Sequence, residues 1–206
     1  MSKRYSSFLF NAIAPVYGLF YSRQKKRYRE VIDAMAAEFD LASFDNILDV
    51  GCGTGSLCSV LCEKGLSVTG IDPAQNMLTI AKRQPENRNI MFIQANVLER
   101  LPFADHSFDL SIASYVAHGM QKSERIKLYS EMRRVTKSKV IIYDYNQKRS
   151  FMTSLVEWLE RGDYFQFIKN PKSEMEDCVS EMAKCFSEVK VIEVDTRASW
   201  YICTPG

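Results

Sequence analysis

Residues 46 to 57, Asn-Ile-Leu-Asp-Val-Gly-Cys-Gly-Thr-Gly-Ser-Leu, constrain this chain more than any other stretch. The apolar run from Ile47 to Val50 empties into glycines at 51, 53 and 55, after which helical spacing begins. That order reads as a buried strand, a tight turn and a helix start. Glycine takes positive φ without steric cost and leaves no side chain between main chain and ligand, so a polar group can approach the turn closely. Thr54 or Ser56 is placed to cap the helix that follows. A second apolar run, Leu66 to Ile71, ends in Asp72-Pro73, and Asp72 stands 21 positions after Gly51. In a right-handed βαβ unit, that separation brings the Asp72 carboxylate to the carboxyl end of the neighbouring strand. There it is within reach of a ribose whose far end lies over the glycine turn.

The spacing approaches the dinucleotide fingerprint, yet Ser56 occupies the place of its third glycine, so a pyrophosphate cradle is poorly matched. The run Asp49 to Leu57, followed by Gly-Ile-Asp-Pro-Ala-Gln-Asn-Met-Leu at 70 to 78, resembles motifs I and II of class I S-adenosylmethionine-dependent methyltransferases. This resemblance implies an α/β, Rossmann-like three-layer sandwich. Its seven-stranded sheet is mostly parallel with an antiparallel terminal strand, and residues 1–206 form a single domain. It implies S-adenosyl-L-methionine as cofactor. Gly51, Cys52, Gly53, Thr54 and Gly55 would receive the methionine part, Asp49 its ammonium directly or through water, and Asp72 with Pro73 the ribose. Met77 would pack against adenine or serve as an ordinary core residue of its helix, with Asn96 and Val97 at the adenine edge. The family usually has aspartate where this chain has Asn96; the amide oxygen still accepts a hydrogen bond, but the charge is gone.

Further strands are expected at 90–95, 108–113 and 139–143, with helices at 55–64, 74–83 and 121–136 and a terminal hairpin at 188–194 and 198–204. The run Leu101 to Leu110 resembles the family signature before strand four, with Asp105 and His106 in a turn. Strand four delivers Ser114 and His118 to the edge where open α/β sheets bind ligands. Ser114 is a cofactor-site candidate. His118 is the candidate general base, because imidazole takes a proton near neutral pH; its other reading is packing at the pocket mouth. Asp144 and Tyr145 close the strand at 139–143 at this same edge, and Tyr143 and Tyr145 are candidate pocket walls. Residues 5–20 are aromatic and irregular around Pro15 and Gly18, and a helix is expected at 21–39. Residues 1–40 resemble the lid of small-molecule methyltransferases, with Tyr17 as lid residue or as staple. An insertion at 146–186, with helical patterns at 150–161 and 173–185 around a loop carrying Tyr164, Phe165 and Phe167, is read, together with Trp158, as a substrate cover or as its own small core.

The composition, 46% hydrophobic and 25% charged, is that of a globular domain, and a net charge of +2 calls for no nucleic-acid partner. The six cysteines form neither a CxxC pair nor zinc spacing, so no metal and a reducing cytoplasm are expected. Lys3-Arg4 before Phe8-Leu9-Phe10 imitates a secretory leader, but Asn11, Pro15 and Gly18 interrupt it. The basic cluster from Arg23 to Arg29 is a solvated face, a peripheral membrane contact or a site for an anionic substrate. No transmembrane run occurs, and no pattern specifies an oligomeric state. The expected activity is methyl transfer to a small, apolar or aromatic acceptor. A noncatalytic cofactor-binding module and a nicotinamide-dependent oxidoreductase are the competing readings.

Overall fold

The computed structural model describes residues 3–146, 171–196 and 198–206. Seven strands form one sheet: β1 (Asn46–Val50), β2 (Ser67–Asp72), β3 (Met91–Gln94), β4 (Phe108–Ser114), β5 (Thr136–Tyr145), β6 (Glu188–Glu193) and β7 (Ala198–Thr204). Their order is β3-β2-β1-β4-β5-β7-β6. The five strands from β3 to β5 are parallel, and β7 runs antiparallel to both of its neighbours. The chain order reverses between β1 and β4, and at such a switch point the loops diverge and leave a crevice above the carboxyl ends.

Successive side chains of a strand point to opposite faces, and both faces of this sheet are covered. On one face Ile47, Leu110, Ile141 and Ile202 meet Val31, Ile32 and Met35 of α2 (Tyr21–Met35), the Leu57–Leu61 stretch of α3 (Ser56–Glu63) and Leu78 of α4 (Gln75–Arg83). On the other face Leu48, Val140, Ile142 and Cys203 meet Leu128 and Met132 of α5 (Lys122–Val135) and Cys178 and Met182 of α6 (Pro171–Cys185). This is the expected three-layer α/β architecture. Arg125 of α5 and Glu181 of α6 form a buried two-pronged ion pair at 2.7 and 2.9 Å, which ties the two helices together.

The N-terminal segment differs from the expectation. Residues 5–20 are not irregular: Lys3–Leu19 is helix α1, with Pro15 inside it. Proline removes the N–H that would bond the carbonyl four residues back. Here that carbonyl, Asn11 O, takes a donor from outside the helix, Asn76 Nδ2 at 2.9 Å, while Asn11 Oδ1 accepts from Asn76 N at 2.8 Å. These two bonds, both donated by Asn76, tie α1 across the start of α4, and a Cβ on Gly18 would stand 3.4 Å from Ile80. Helix α2 ends at Met35, not at 39. Neither Thr54 nor Ser56 caps α3; Gly55 holds that position at φ +79° with no side-chain acceptor. The expected helix at 150–161 and Trp158, Tyr164, Phe165 and Phe167 lie outside the described residues. Helix α6, from the same 146–186 stretch, belongs to the packed layer over β5 and β7.

Candidate active site

The three motif glycines all take left-handed backbone: Gly51 at φ +71°, Gly53 at +52° and Gly55 at +79°. Side chains at Gly51 and Gly55 would collide, since a Cβ would lie 2.6 Å from Val116 Cγ2 and 2.8 Å from Asn87 Nδ2 respectively. A Cβ at Gly53 would meet nothing within 4 Å. The turn is thus packed at both ends and open at its centre, which is a cradle a side chain would fill. Gly51 N and Cys52 N both donate to Ile71 O, at 2.8 and 2.9 Å, so the turn is welded to the end of β2.

Asp72 closes the other side of the cradle. Its carboxylate accepts from Gly53 N at 2.9 Å and from Ala74 N at 2.7 Å, which pins it between the glycine turn and the start of α4. Burial nevertheless pushes its carboxyl up to about 6. Asp49, 1% exposed beneath the turn, is pushed up to about 7 by burial and by the nearby Asp72 charge, against the opposing bond from Cys58 Sγ at 3.0 Å. Two buried carboxylates with raised pKa values beside an open cradle are arranged to receive cationic or hydroxyl-bearing chemistry. Burial also raises the Cys52 thiol to about 11, so it stays protonated.

The remaining cofactor-site candidates are placed as follows. Thr54 is buried with its hydroxyl 3.4 Å from that of Ser56. Asn96, just beyond β3, turns its Oδ1 onto Leu98 N at 3.0 Å, and Val97 is buried in the α5-side core. Pro73 is half-buried beside Asp72. Met77 is 2% exposed and packs with Ala14 and Ala74 under α1, where Tyr17 and Phe10 meet edge to face at 6.4 Å. Ser114, at the end of β4, shares a 2.9 Å hydrogen bond with the Tyr28 hydroxyl of α2.

Beyond Ser114 the chain turns sharply. Tyr115 adopts φ +55°, an expensive conformation for a bulky residue, and such strain is typical of functional sites. The turn brings its ring to 4.8 Å from Tyr143 and 5.1 Å from Tyr145. With Tyr28, 6.2 Å from Tyr143, these rings build an aromatic wall over the carboxyl edge. Burial holds the hydroxyls of Tyr28, Tyr115 and Tyr143 above the ordinary tyrosine range, so they are neutral donors and not bases at physiological pH.

His118 is paired. Its Nδ1 lies 2.8 Å from Asp144 Oδ1, and Asp144 also accepts from Ala117 N, His118 N and Tyr145 N at 3.0, 3.1 and 2.8 Å. A carboxylate acceptor at Nδ1 sets the tautomer with the proton on that nitrogen. Tyr129, Ile142, Cys178 and Met182 line the same small pocket as the pair. Asp144 was legible as an edge residue, but its partnership with His118 was not, because it depends on the β4–β5 register that sets Ser114 opposite Tyr143. The Arg27–Asp195 ion pair, joining α2 to the terminal hairpin, was likewise missed.

Comparison with known proteins bears on the fold and the family. Residues 47–139 match a family model described as a methyltransferase domain. A demethylmenaquinone methyltransferase from Renibacterium salmoninarum is 31% identical over 163 residues, covering 75% of this chain and 65% of that protein. A protein from Staphylococcus carnosus named only as an uncharacterized methyltransferase is 26% identical, covering 81% of each. Among solved structures, one described as a candidate S-adenosylmethionine-dependent methyltransferase from Methanococcus maripaludis superposes with a TM-score of 0.70 at 19% identity, covering 94% of this chain and 92% of that one. Residues 47–139 are thus similar to a methyltransferase domain, the likeness that the motifs at 49–57 and 70–78 imply.

Proposed function

We propose that this protein moves a methyl group from S-adenosylmethionine to a small, aromatic or apolar acceptor. The observation that carries the reading is the juxtaposition of the open glycine cradle with the His118–Asp144 pair. Val116, two residues before His118, packs directly on Gly51: a Cβ on that glycine would stand only 2.6 Å from Val116 Cγ2. Val116 thus ties the glycine turn to the loop that carries the candidate base.

The residues present fit the cofactor. The amides of the 51–55 turn and the open space at Gly53 would take the methionine part, and Asp49 below would balance its ammonium. Asp72 would hold ribose hydroxyls, while Asn96 and Val97 would border adenine, with Met77 and Tyr17 supporting that side under α1. When bound, the cofactor supplies a methyl group on a sulfonium, a leaving group that needs no protonation. The protein's tasks are then alignment, exclusion of water and removal of the acceptor's proton. The aromatic wall of Tyr28, Tyr115, Tyr143 and Tyr145 orients a flat acceptor and keeps the crevice dry. His118 takes the acceptor proton at Nε2, and Asp144 acts as a positioning residue that holds Nδ1–H and steadies the imidazolium.

The name of the Renibacterium relative favours a quinone-derived acceptor, and the six cysteines present as thiols favour a reducing, cytoplasmic setting. The test is transfer of labelled methyl from S-adenosylmethionine to hydroquinone acceptors. His118→Ala should lower kcat about 10²- to 10⁴-fold, the usual share of a general base. Asp144→Asn should lower kcat and displace the acid limb of the pH–rate profile while KM for the cofactor stays unchanged. Wild-type kcat in His118→Ala would remove the base from the mechanism, and failure to label any hydroquinone would remove that acceptor class.

A further inference from the structure

Helix α1 is apolar on two opposite faces. The inner face places Phe10, Ile13, Ala14 and Tyr17 on Ala74, Met77 and Ile80. The outer face is bare: Phe8 is 72% exposed, Val16 54% and Leu19 83%, and Ala12 is exposed between them, with Phe20 48% exposed at the end. Positions 8, 12, 16 and 19 recur at helical spacing and form one stripe about 17 Å long. A helix apolar all round is ordinarily enclosed on every side, and a contiguous apolar patch left on the outside marks an interaction surface.

Charge identifies the occupant. The first 29 residues hold seven Lys and Arg and no Asp or Glu, so they carry +7 in a chain whose net charge is +2. Arg23 and Lys26 follow Phe20 directly and are exposed, Lys26 with 77% of its side chain accessible. An apolar stripe joined to a basic segment matches the boundary between acyl chains and anionic headgroups. Lys25, Arg27 and Arg29 are paired within the fold to Glu86, Asp195 and Glu63, so the outward charge beside the stripe is that of Arg23 and Lys26, and a second copy would set those like charges together. None of the described helices is long and apolar enough to cross a membrane, so the contact is with the surface.

We propose that the outer stripe of α1 and the basic start of α2 dock this protein on an anionic lipid surface. The inner face of α1 covers the start of α4, which follows Asp72. Docking therefore sets the crevice at the lipid boundary, where an apolar acceptor reaches it without crossing water. This last consequence rests on the methyl-transfer reading, whereas the docking itself does not.

The experiment is flotation of the full chain with vesicles of phosphatidylcholine alone or with about 30 mol% phosphatidylglycerol. The wild type should bind the anionic vesicles at least about tenfold more tightly than the neutral ones, and less tightly as salt rises to about 0.5 M. Phe8→Ser with Leu19→Ser should weaken anionic binding at least about tenfold, and Arg23→Glu with Lys26→Glu should abolish the preference for anionic lipid. Both variants should keep wild-type affinity for S-adenosylhomocysteine. Absence of binding to anionic vesicles, equal binding to neutral ones, or an unaffected stripe variant would overturn the proposal. So would a wild-type dimer that the stripe variant dissociates while vesicles bind neither, which assigns the stripe to a second copy. A wild type that floats but binds no S-adenosylhomocysteine would refute the methyl-transfer reading and leave the docking standing.

Discussion

Two glycines in this fold carry the same backbone strain in different places, and substituting each with alanine separates cofactor binding from stability. Gly53 lies at φ +52° in the motif turn, and Gly65 at φ +86° just past the end of α3. A Cβ at either position meets nothing within 4 Å, so neither substitution creates a clash. Both incur the left-handed cost of an L-residue, about 1–2 kcal/mol. For a domain of this size that lowers Tm by roughly 2–8 °C. Gly53→Ala and Gly65→Ala should therefore melt within a few degrees of each other. They should part company in calorimetric titration with S-adenosylhomocysteine. The Gly53→Ala methyl group enters the cradle and should weaken binding more than about tenfold, which is 1.4 kcal/mol. The Gly65→Ala protein should bind within about twofold of wild type. The reasoning is refuted if Gly53→Ala shows the loss of Tm but binds like wild type, because the open space at Gly53 would then not be where the cofactor lies.

The raised carboxyls predict a pH dependence. Because Asp49 and Asp72 hold protons more tightly folded than unfolded, their contribution to stability falls as pH rises from about 4 to 7 and levels off above. A cationic ammonium favours the ionised form, so cofactor affinity should rise over the upper part of that range. Cys58→Ala removes a bond that lowers the Asp49 value and should move the midpoint to higher pH; an unmoved midpoint in a calorimetric pH series would exclude Asp49. Asn76→Ala leaves Asn11 O without its outside donor behind Pro15, and should cost about 1 kcal/mol and speed hydrogen exchange of α1 specifically. Arg125→Met leaves Glu181 buried and unpaired, a loss of about 3–5 kcal/mol measurable by urea unfolding, while a loss below 1 kcal/mol would mean the carboxylate finds water.

Much of this architecture was legible because its signals are local. The Ile47–Val50 run, the glycines after it and Asp72 at the end of the next run specify a strand–turn–helix–strand unit by spacing alone. The terminal hairpin announced itself by alternating β-rich runs, and its antiparallel insertion between β5 and β6 followed the family pattern. Helix α1 was not legible, because Pro15 and Gly18 are local breakers whose costs are offset by Asn76 and by close packing on Ile80, both some 60 residues away in sequence. The same applies to the site. Glycines and carboxylates at motif spacing could be named from sequence, whereas the His118–Asp144 pair and the aromatic wall depend on strand register and on the left-handed turn at Tyr115. Cys58 is fully buried among apolar residues, but it also donates to Asp49. Nothing in the spacing of those two positions distinguishes a silent thiol from a bonded one.

The most direct test of the central claim is calorimetric titration of the full chain with S-adenosylhomocysteine, repeated on Asp72→Ala with a thermal melt to verify that the variant is folded. The geometry predicts wild-type binding that weakens about tenfold or more in the variant, the loss expected when a charged acceptor of ribose hydroxyls is removed. A well-folded wild type that does not bind, or a variant that binds equally well, would contradict the assignment of the cradle between Gly53 and Asp72 as the cofactor site.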